Sequence, residues 1–265
     1  MTIVVGDALN SEDVTQAVSG VDIIFHAVSF PYEEWEEKHL TCLDTVIQAA
    51  EIHHKKLVFT DNIYVYGKNQ GEKVTENSPK MPHTKKGNIR LMMENRIKKS
   101  NIPWLIGHLP DSYGPNAENT ILYETLKNVC LNKVANYVGD KKIKREFLYT
   151  RDGAKALVEL ALREDTFNQH WNIPSSFPIS GEEIHQLLQK EFGYTKSFRM
   201  VNKSMIRMMG IFHPFMKEMV EMMYLNENPI LLNGVKYEQT IGPVPNTAYN
   251  VGIAETLNWI KNNKV

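Results

Sequence analysis

The sequence is poor in cysteine, with only Cys42 and Cys130 among its 265 residues. Two thiols so far apart in the chain exclude a disulfide framework and a C-x-x-C metal or redox site. We expect both to be small apolar side chains in a reducing compartment. The nine histidines show neither an H-E-x-x-H pattern nor another metal-ligand spacing, so the sequence predicts no metal site.

The sequence also lacks a basic excess and a long hydrophobic run. Its 30 basic and 31 acidic residues leave a formal net charge of −1, which argues against a nucleic-acid-binding protein. No apolar run approaches the roughly 20 residues that a bilayer-spanning helix needs. The N-terminus does not resemble a secretory signal. We therefore expect a cytoplasmic protein with no nucleic-acid or membrane partner.

What the sequence does contain is an alternation of short apolar runs and helical patterns. The runs are Thr2–Val5, Asp22–His26, Lys56–Thr60 and Trp104–His108. Each is bounded by polar or turn residues, as buried parallel strands are. Asn10 is a predicted helix N-cap, and residues 33–52 and 85–100 place apolar residues at helical spacing. This alternation predicts an α/β fold with a parallel sheet.

After residue 115 the pattern becomes mostly helical. Ser180 and Glu183 form a predicted capping box on a helix that ends at Gly193. Methionines crowd residues 204–224, where we expect them to serve adaptable core packing or to line an apolar substrate pocket. We predict a dinucleotide-fold core over 1–115, with 116–265 holding further core elements and a smaller, helical C-terminal substrate lobe.

Polar side chains follow two of the predicted strands. Asp61, Asn62 and Tyr64 come after the strand that ends at Thr60, and residues 111–113 follow the last strand. Ligands of open parallel sheets lie at the carboxyl ends of strands, so these are candidate site residues. The alternative is that Asp61 and Asn62 only satisfy the backbone of a turn.

Two cations stand four residues apart in the predicted helix over 85–100. Lys86 and Arg90 therefore share one helix face, near the end where the helix dipole disfavours positive charge. A nearby phosphate or carboxylate would relieve that cost. The alternative is a basic face that is simply exposed to solvent.

Five segments occur in an order that resembles a known family. They are GDALNSEDVTQAVSGVDIIFHAV, KKLVFTDNIYVYG, IPWLIGHLPDSYGP, REFLYTRDGAKALVEL and HWNIPSSFPISGEEI. The chain resembles the NAD-dependent epimerase/dehydratase family, the extended or atypical short-chain dehydrogenase/reductases, from Val4 to about Gly193. The resemblance implies a Rossmann-like fold, NAD or NADP as cofactor, and oxidoreductase chemistry on a small substrate, for which a nucleotide-sugar-like molecule is one candidate.

The resemblance begins only at the family's third strand. The first two family strands, with the G-x-x-G-x-x-G turn that holds the cofactor pyrophosphate, have no counterpart in the sequence. Each hydrogen bond lost from a charged group weakens binding by roughly 1.5–3 kcal/mol. We expect either that Thr2–Val5 pairs directly with Asp22–His26, or that this sheet edge stays open.

The resemblance also assigns candidate catalytic residues. The family has a Ser after its fifth strand and Tyr-x-x-x-Lys on the next helix. Here Asn62 stands at the Ser position, Lys86 at the Tyr position and Arg90 at the Lys position. We expect Asn62 and Tyr64 to orient a substrate oxygen, and the two cations to hold anionic groups. Lys86 can act as an acid or base only if its pKa is strongly lowered.

Further positions match the family's cofactor contacts. By resemblance, the cofactor-binding residues are Asp7, Ala8, His26, Ala27, Val28, Asn62, Leu109 and Pro110. A small molecule is the expected partner, and a homodimer stays open. The altered catalytic set leaves a second interpretation open as well: a non-catalytic dinucleotide or metabolite sensor, or an inactive truncated remnant.

Overall fold

The computed structural model describes residues 2–68 and 71–264. The helices are α1 Ser11–Val18, α2 Trp35–His53, α3 Lys85–Lys99, α4 Ile121–Cys130, α5 Thr150–Ala161, α6 Gly181–Phe192, α7 Lys203–Met209, α8 Pro214–Met219, α9 Tyr224–Glu227, α10 Val235–Thr240 and α11 Tyr249–Lys264. The strands are β1 Ile23–His26, β2 Lys56–Asn62, β3 Trp104–Leu109, β4 Asp111–Tyr113, β5 Ala135–Val138, β6 Phe147–Tyr149, β7 Gln169–Asn172 and β8 Phe198–Val201.

The main sheet has the strand order β1-β2-β3-β7. Strands β1 and β2 are parallel, with Ile23 opposite Lys56 and His26 opposite Phe59. Two smaller parallel pairs, β4 with β6 and β5 with β8, form separate sheets. Parallel strands interleaved with helices confirm the predicted α/β class and its Rossmann-like character. Among the described residues, none of the helices combines the length and the apolar composition that spanning a bilayer requires.

Two compact units share the chain. Unit 1 comprises residues up to 67, 79–108 and 157–171, and unit 2 comprises 68–78, 109–156 and 172 onward. The core of unit 1 is formed by β2, β3, α2 and α3, with Leu57, Phe59 and Leu105 inaccessible to solvent. The core of unit 2 packs α4, α6 and α11 around β5 and β6. The domain boundary near residue 115 stays a prediction.

The helix caps that the sequence predicts are present in the structure. The Asn10 side chain accepts hydrogen bonds from the N–H groups of Glu12 and Asp13 and caps α1. Ser180 and Glu183 form a reciprocal capping box, and α6 ends at Gly193 in the left-handed conformation. These contacts satisfy N–H groups that a helix N-terminus otherwise leaves without partners.

The prediction of a strand over Thr2–Val5 is wrong. Residues 2–7 form no helix or strand, and Ile3 and Val5 are 78% and 95% exposed. β1 is an edge strand that pairs with β2, and no described strand covers its other side. An extended segment without a neighbouring strand has no ladder to join, so the open-edge alternative holds. The strand predicted to end at Thr60 is also two residues longer, because β2 continues through Asn62.

Candidate active site at the carboxyl end of strand β2

Strand β2 ends in two polar residues that organise the following turn. Asp61 Oδ1 accepts a hydrogen bond from the Asn62 N–H at 2.8 Å. Asn62 Oδ1 accepts one from the Tyr64 N–H at 3.0 Å and caps the short 3₁₀ helix Ile63–Tyr66. Both residues therefore do satisfy turn backbone, as the structural alternative proposed. The same turn fixes the position of the Tyr64 ring.

The predicted catalytic residues Tyr64 and Lys86 lie around one aromatic ring. The Tyr64 and Tyr32 hydroxyls are 2.8 Å apart and share a hydrogen bond. The Lys86 ammonium lies 5.3 Å from the centroid of the Tyr32 ring. Only 1% of Lys86 is exposed, so the solvent-exposed alternative for this helix face is wrong. Instead, the Lys86 ammonium in the first turn of α3 is buried beside the ring of Tyr32, whose hydroxyl is hydrogen-bonded to that of Tyr64.

Arg90, one turn further along α3, is held by a carboxylate and two aromatic rings. Its Nε lies 3.5 Å from Asp61 Oδ1. Its guanidinium carbon lies 5.1 Å from the Trp35 ring and 5.5 Å from the Phe59 ring. A planar guanidinium stacks well on aromatic faces, which a lysine ammonium does not do as well. Arg90 is thus a fixed positive charge behind the end of β2.

Several buried polar atoms around Arg90 have no hydrogen-bond partner among the described residues. They are His26 Nε2, both ring nitrogens of His39, Asp61 Oδ2 and Arg90 Nε. Burial, together with the Arg90 charge, lowers the pKa of His26 to about 4 and that of His39 to about 3. Both imidazoles are therefore neutral at pH 7. Buried groups without partners are costly, and a polar ligand would satisfy them.

Asp61 is the residue here whose protonation state changes near neutral pH. Burial raises its pKa to about 7, although Arg90 opposes the shift. A carboxyl group with such a pKa suits acid–base chemistry at physiological pH. The sequence singled out Asp61 as a strand-end residue but placed the chemistry on its neighbour Asn62. The pKa of Asp61 is raised because its carboxyl group is buried, and that burial comes from residues distant in the sequence.

The other predicted cofactor residues come from three segments of the chain. Asp7 and Ala8 precede α1, where the Thr45 hydroxyl donates to the Ala8 carbonyl at 2.8 Å. Ala27 is exposed and Val28 half-buried, directly after β1. His26 alone of these joins the polar group around Arg90. Leu109 and Pro110, at the end of β3, belong to unit 2, and their role stays a prediction.

A second buried polar network in unit 1 was not foreseen from the sequence. His108 Nε2 lies 2.9 Å from Glu94 Oε1, and His170 Nδ1 lies 3.8 Å from Glu94 Oε2. These three residues offer ligand atoms within 4.8 Å of one another, a geometry that could hold a metal ion. The Lys80 ammonium, however, lies within 3.1 Å of both histidines and pairs with Glu94. The network is therefore already neutralised by a protein cation.

Unit 2 contains a buried cation that sequence reasoning also missed. Arg145 is 4% exposed, and none of its side-chain nitrogens has a hydrogen-bond partner among the described residues. Its guanidinium carbon lies 4.9 Å from the Phe147 ring and 5.7 Å from the Tyr137 ring. Burial raises the pKa of Asp111, and the Arg145 charge opposes that rise. A guanidinium with unused donors is suited to bind a carboxylate or phosphate.

A cavity of about 310 Å³ also lies in unit 2. Glu146, Lys73 and the segments 174–178, 233–235 and 243–246 line it. Glu146 Oε2 accepts a hydrogen bond from the Leu232 N–H at 2.9 Å. Burial raises the pKa of Glu146 to about 7, against the influence of that hydrogen bond and of Lys73.

The raised pKa of Glu146 has a consequence for stability. A carboxyl whose folded pKa is raised contributes stability that is present below its ordinary value of 4.5 and is lost as the pH rises through about 7. Glu146→Gln keeps an acceptor for Leu232 but cannot ionise. We expect the variant to match the wild type at pH 4 and to be more stable at pH 8, by up to about 3 kcal/mol. Urea denaturation at both pH values measures this.

Glu238→Gln is the matched control, because Glu238 lines the same cavity but is exposed. It should leave the stability difference between the two pH values unchanged. A Glu146→Gln effect of equal size at pH 4 and pH 8 would show that ionisation is not its cause.

Comparison with known proteins finds a family whose sequence model matches this chain. The model of the NAD dependent epimerase/dehydratase family matches residues 1–173. An uncharacterized UDP-glucose epimerase of Bacillus subtilis (strain 168) is 24% identical over 196 residues, which cover 68% of this chain. The match spans 62% of that protein's own length.

Solved structures with the same fold include two enzymes. UDP-glucuronic acid 4-epimerase from Bacillus cereus, in complex with NAD, superposes with a TM-score of 0.79 at 18% identity. The alignment covers 97% of this chain and 79% of that one. A dTDP-glucose 4,6-dehydratase from Streptomyces venezuelae, with NAD bound, gives 0.76 at 18% identity and covers 98% and 79%. These similarities establish the fold.

Proposed function

Since this chain belongs to the NAD-dependent epimerase/dehydratase family, we propose that it is an NAD(P)-dependent oxidoreductase acting on a small, nucleotide-sugar-like substrate. The observation that carries the proposal is the cluster at the carboxyl end of β2. It joins two buried cations, Lys86 and Arg90, with the Tyr32–Tyr64 pair and a carboxyl group that titrates near pH 7. Ligands of parallel sheets bind at this edge.

The residues of unit 1 fit part of a dinucleotide. The buried atoms without partners on His26, His39 and Asp61 suit a hydroxyl-rich group such as a ribose. When bound, the nicotinamide supplies hydride transfer. The given sequence contains no G-x-x-G-x-x-G pattern, and the proposal assigns none of its residues to the pyrophosphate. The rings of Tyr32 and Trp35 cover the two cations and would have to move for a ligand to reach them.

In this proposal the protein groups bind, orient and exchange protons. Tyr64 and Asn62 orient the substrate oxygen at which a proton is gained or lost. Asp61, whose pKa is about 7, can gain or lose a proton near neutral pH and serves as the acid or base for this step. Lys86 and Arg90 stabilise negative charge that develops near them.

Arg145 supports an anionic substrate. Relatives of this chain are described as epimerases or dehydratases of UDP- and dTDP-sugars, whose diphosphates carry negative charge. A buried guanidinium with free donors binds phosphate oxygens in a bidentate manner. Arg145 thus gives unit 2, taken by itself, a candidate position for an anionic group such as a phosphate.

Titration of the protein with NADH and with NADPH, followed by cofactor fluorescence, tests the proposal. We expect saturable binding of at least one of them. Lys86→Gln should weaken it about tenfold, the equivalent of about 1.4 kcal/mol, because a buried cation is lost from the site. Lys85→Gln is the matched control: the adjacent lysine is half exposed and pairs with Glu36 on the surface.

Two outcomes would count against an oxidoreductase. One is the lack of saturable binding up to millimolar cofactor. The other is cofactor binding without hydride transfer to or from any UDP- or dTDP-sugar, which would favour the sensor interpretation. Equal weakening by Lys85→Gln and Lys86→Gln would remove Lys86 from the site.

A further inference from the structure

The methionine-rich stretch of unit 2 is only partly a core element. Helices α7 and α8 form a hairpin whose apex is apolar and exposed. Met208 is 64% exposed, Ile211 73%, Phe212 80% and Phe215 45%. Single exposed apolar side chains are common on protein surfaces, but four within eight residues form a patch that needs a function.

The two helices of the hairpin pack closely against each other, so the exposed apolar side chains do not belong to a frayed segment. A Cβ atom on Gly210 would lie 2.9 Å from the Lys217 Cα, which shows how closely the two helices approach. The inner face of the hairpin buries Ile206 and Met219, which pack with Met223 in a separate apolar cluster of unit 2. The base is thus anchored while the apex stays in solvent.

The charge of the hairpin differs from that of the chain. Residues 203–219 contain Lys203, Arg207 and Lys217 against a single carboxylate, Glu218, a formal net charge of +2, whereas the whole chain has a net charge of −1. Lys203 and Arg207 are four apart and share one face of α7. Arg207 and Lys217 are both exposed. The apolar apex is therefore flanked by cations on both helices.

We propose that this hairpin docks on the surface of an anionic lipid bilayer. Aromatic and aliphatic side chains at the apex enter the boundary between headgroups and acyl chains, and flanking cations meet anionic headgroups. A second copy of this chain fits less well, because a two-fold contact through the same patch would bring its cations against each other. That the described helices include none able to cross a membrane does not bear on surface docking.

Co-sedimentation with lipid vesicles tests the proposal on the full chain. We expect binding to vesicles of phosphatidylcholine mixed equally with phosphatidylserine, little binding to phosphatidylcholine alone, and a clear loss at high salt. Arg207→Gln and Lys217→Gln should each weaken partitioning about fivefold. Ile211→Ser combined with Phe212→Ser should weaken it at least about tenfold. Leu162→Ser, at a 77% exposed leucine of unit 1, is the control and should change nothing.

Circular dichroism of each variant checks that it folds, and the salt and lipid dependence of the wild type needs no variant. Equal binding to both vesicle types, or none to either, would overturn the proposal. So would a dimer in sedimentation velocity that the Ile211→Ser, Phe212→Ser variant converts to a monomer, because the patch would then be a protein interface.

Discussion

Replacement of Arg90 by methionine should lower the free energy of unfolding by about 3–5 kcal/mol at pH 9, because it leaves the buried Asp61 carboxylate without its counter-charge. At pH 5 the effect should be small or even stabilising. Burial raises the pKa of Asp61 to about 7, so at pH 5 its carboxyl is protonated and does not pair with Arg90. Methionine retains an apolar contact with Trp35 and Phe59, which limits the loss of packing.

A double-mutant cycle separates the charge pair from packing. Asp61→Asn alone and together with Arg90→Met should give a coupling free energy that is large at pH 9 and small at pH 5. Urea denaturation at both pH values measures it. If Arg90→Met costs the same at both, the guanidinium stabilises unit 1 by packing rather than by its charge.

Glu94→Gln is expected to destabilise the protein by a similar amount, about 3–5 kcal/mol at neutral pH. Glu94 is inaccessible to solvent and pairs with Lys80 and Lys98 as well as with His108. Burial by itself would raise its pKa, but the His108 hydrogen bond and the nearby cations reverse this and lower it. Without the carboxylate, Lys80 would be largely buried and would lose the anion with which it pairs directly.

The loss caused by Glu94→Gln should also shrink as the pH falls, although the pKa of Glu94 is lowered whereas that of Asp61 is raised. A carboxyl whose pKa is depressed in the folded state contributes stability above its ordinary pKa, and that stability is lost as the pH falls. The unfolding free energies of wild type and Glu94→Gln should therefore converge on acidification from pH 7 to pH 3. Glu164→Gln, at an 85% exposed side chain that pairs with Lys56, is the control and should cost less than about 1 kcal/mol. A Glu94→Gln loss no larger than that control would show the network to be dispensable.

The fold was largely predictable because its signals are local. The apolar runs of β1, β2 and β3 and the caps at Asn10 and Ser180 each act within a few residues. Thr2–Val5 shows the limit of such signals. Its β-branched residues favour a strand, but a strand also needs a neighbour, and that is a property of the sheet and not of the segment.

The candidate site was predictable from the sequence only where its residues lie on a single helix or strand. Spacing placed Lys86 and Arg90 on one face of α3, but their burial depends on Tyr32, Trp35 and Phe59, which come from other elements. The network of Glu94, His108 and His170 draws each member from a different element, so no sequence pattern connects them. Arg145 lies within a segment that resembles the family, yet nothing local indicates that it is buried without a partner.

The open side of β1 affects how the protein behaves at high concentration. The outer face of an edge strand carries backbone donors and acceptors that a strand from another molecule can use, and Phe25, 44% exposed, adds an adhesive ring. No proline interrupts Ile23–His26, and the only titratable side chain in it, His26, is buried and neutral at pH 7. We therefore expect association at high concentration to begin by strand pairing at this edge, and Phe25→Lys to oppose it.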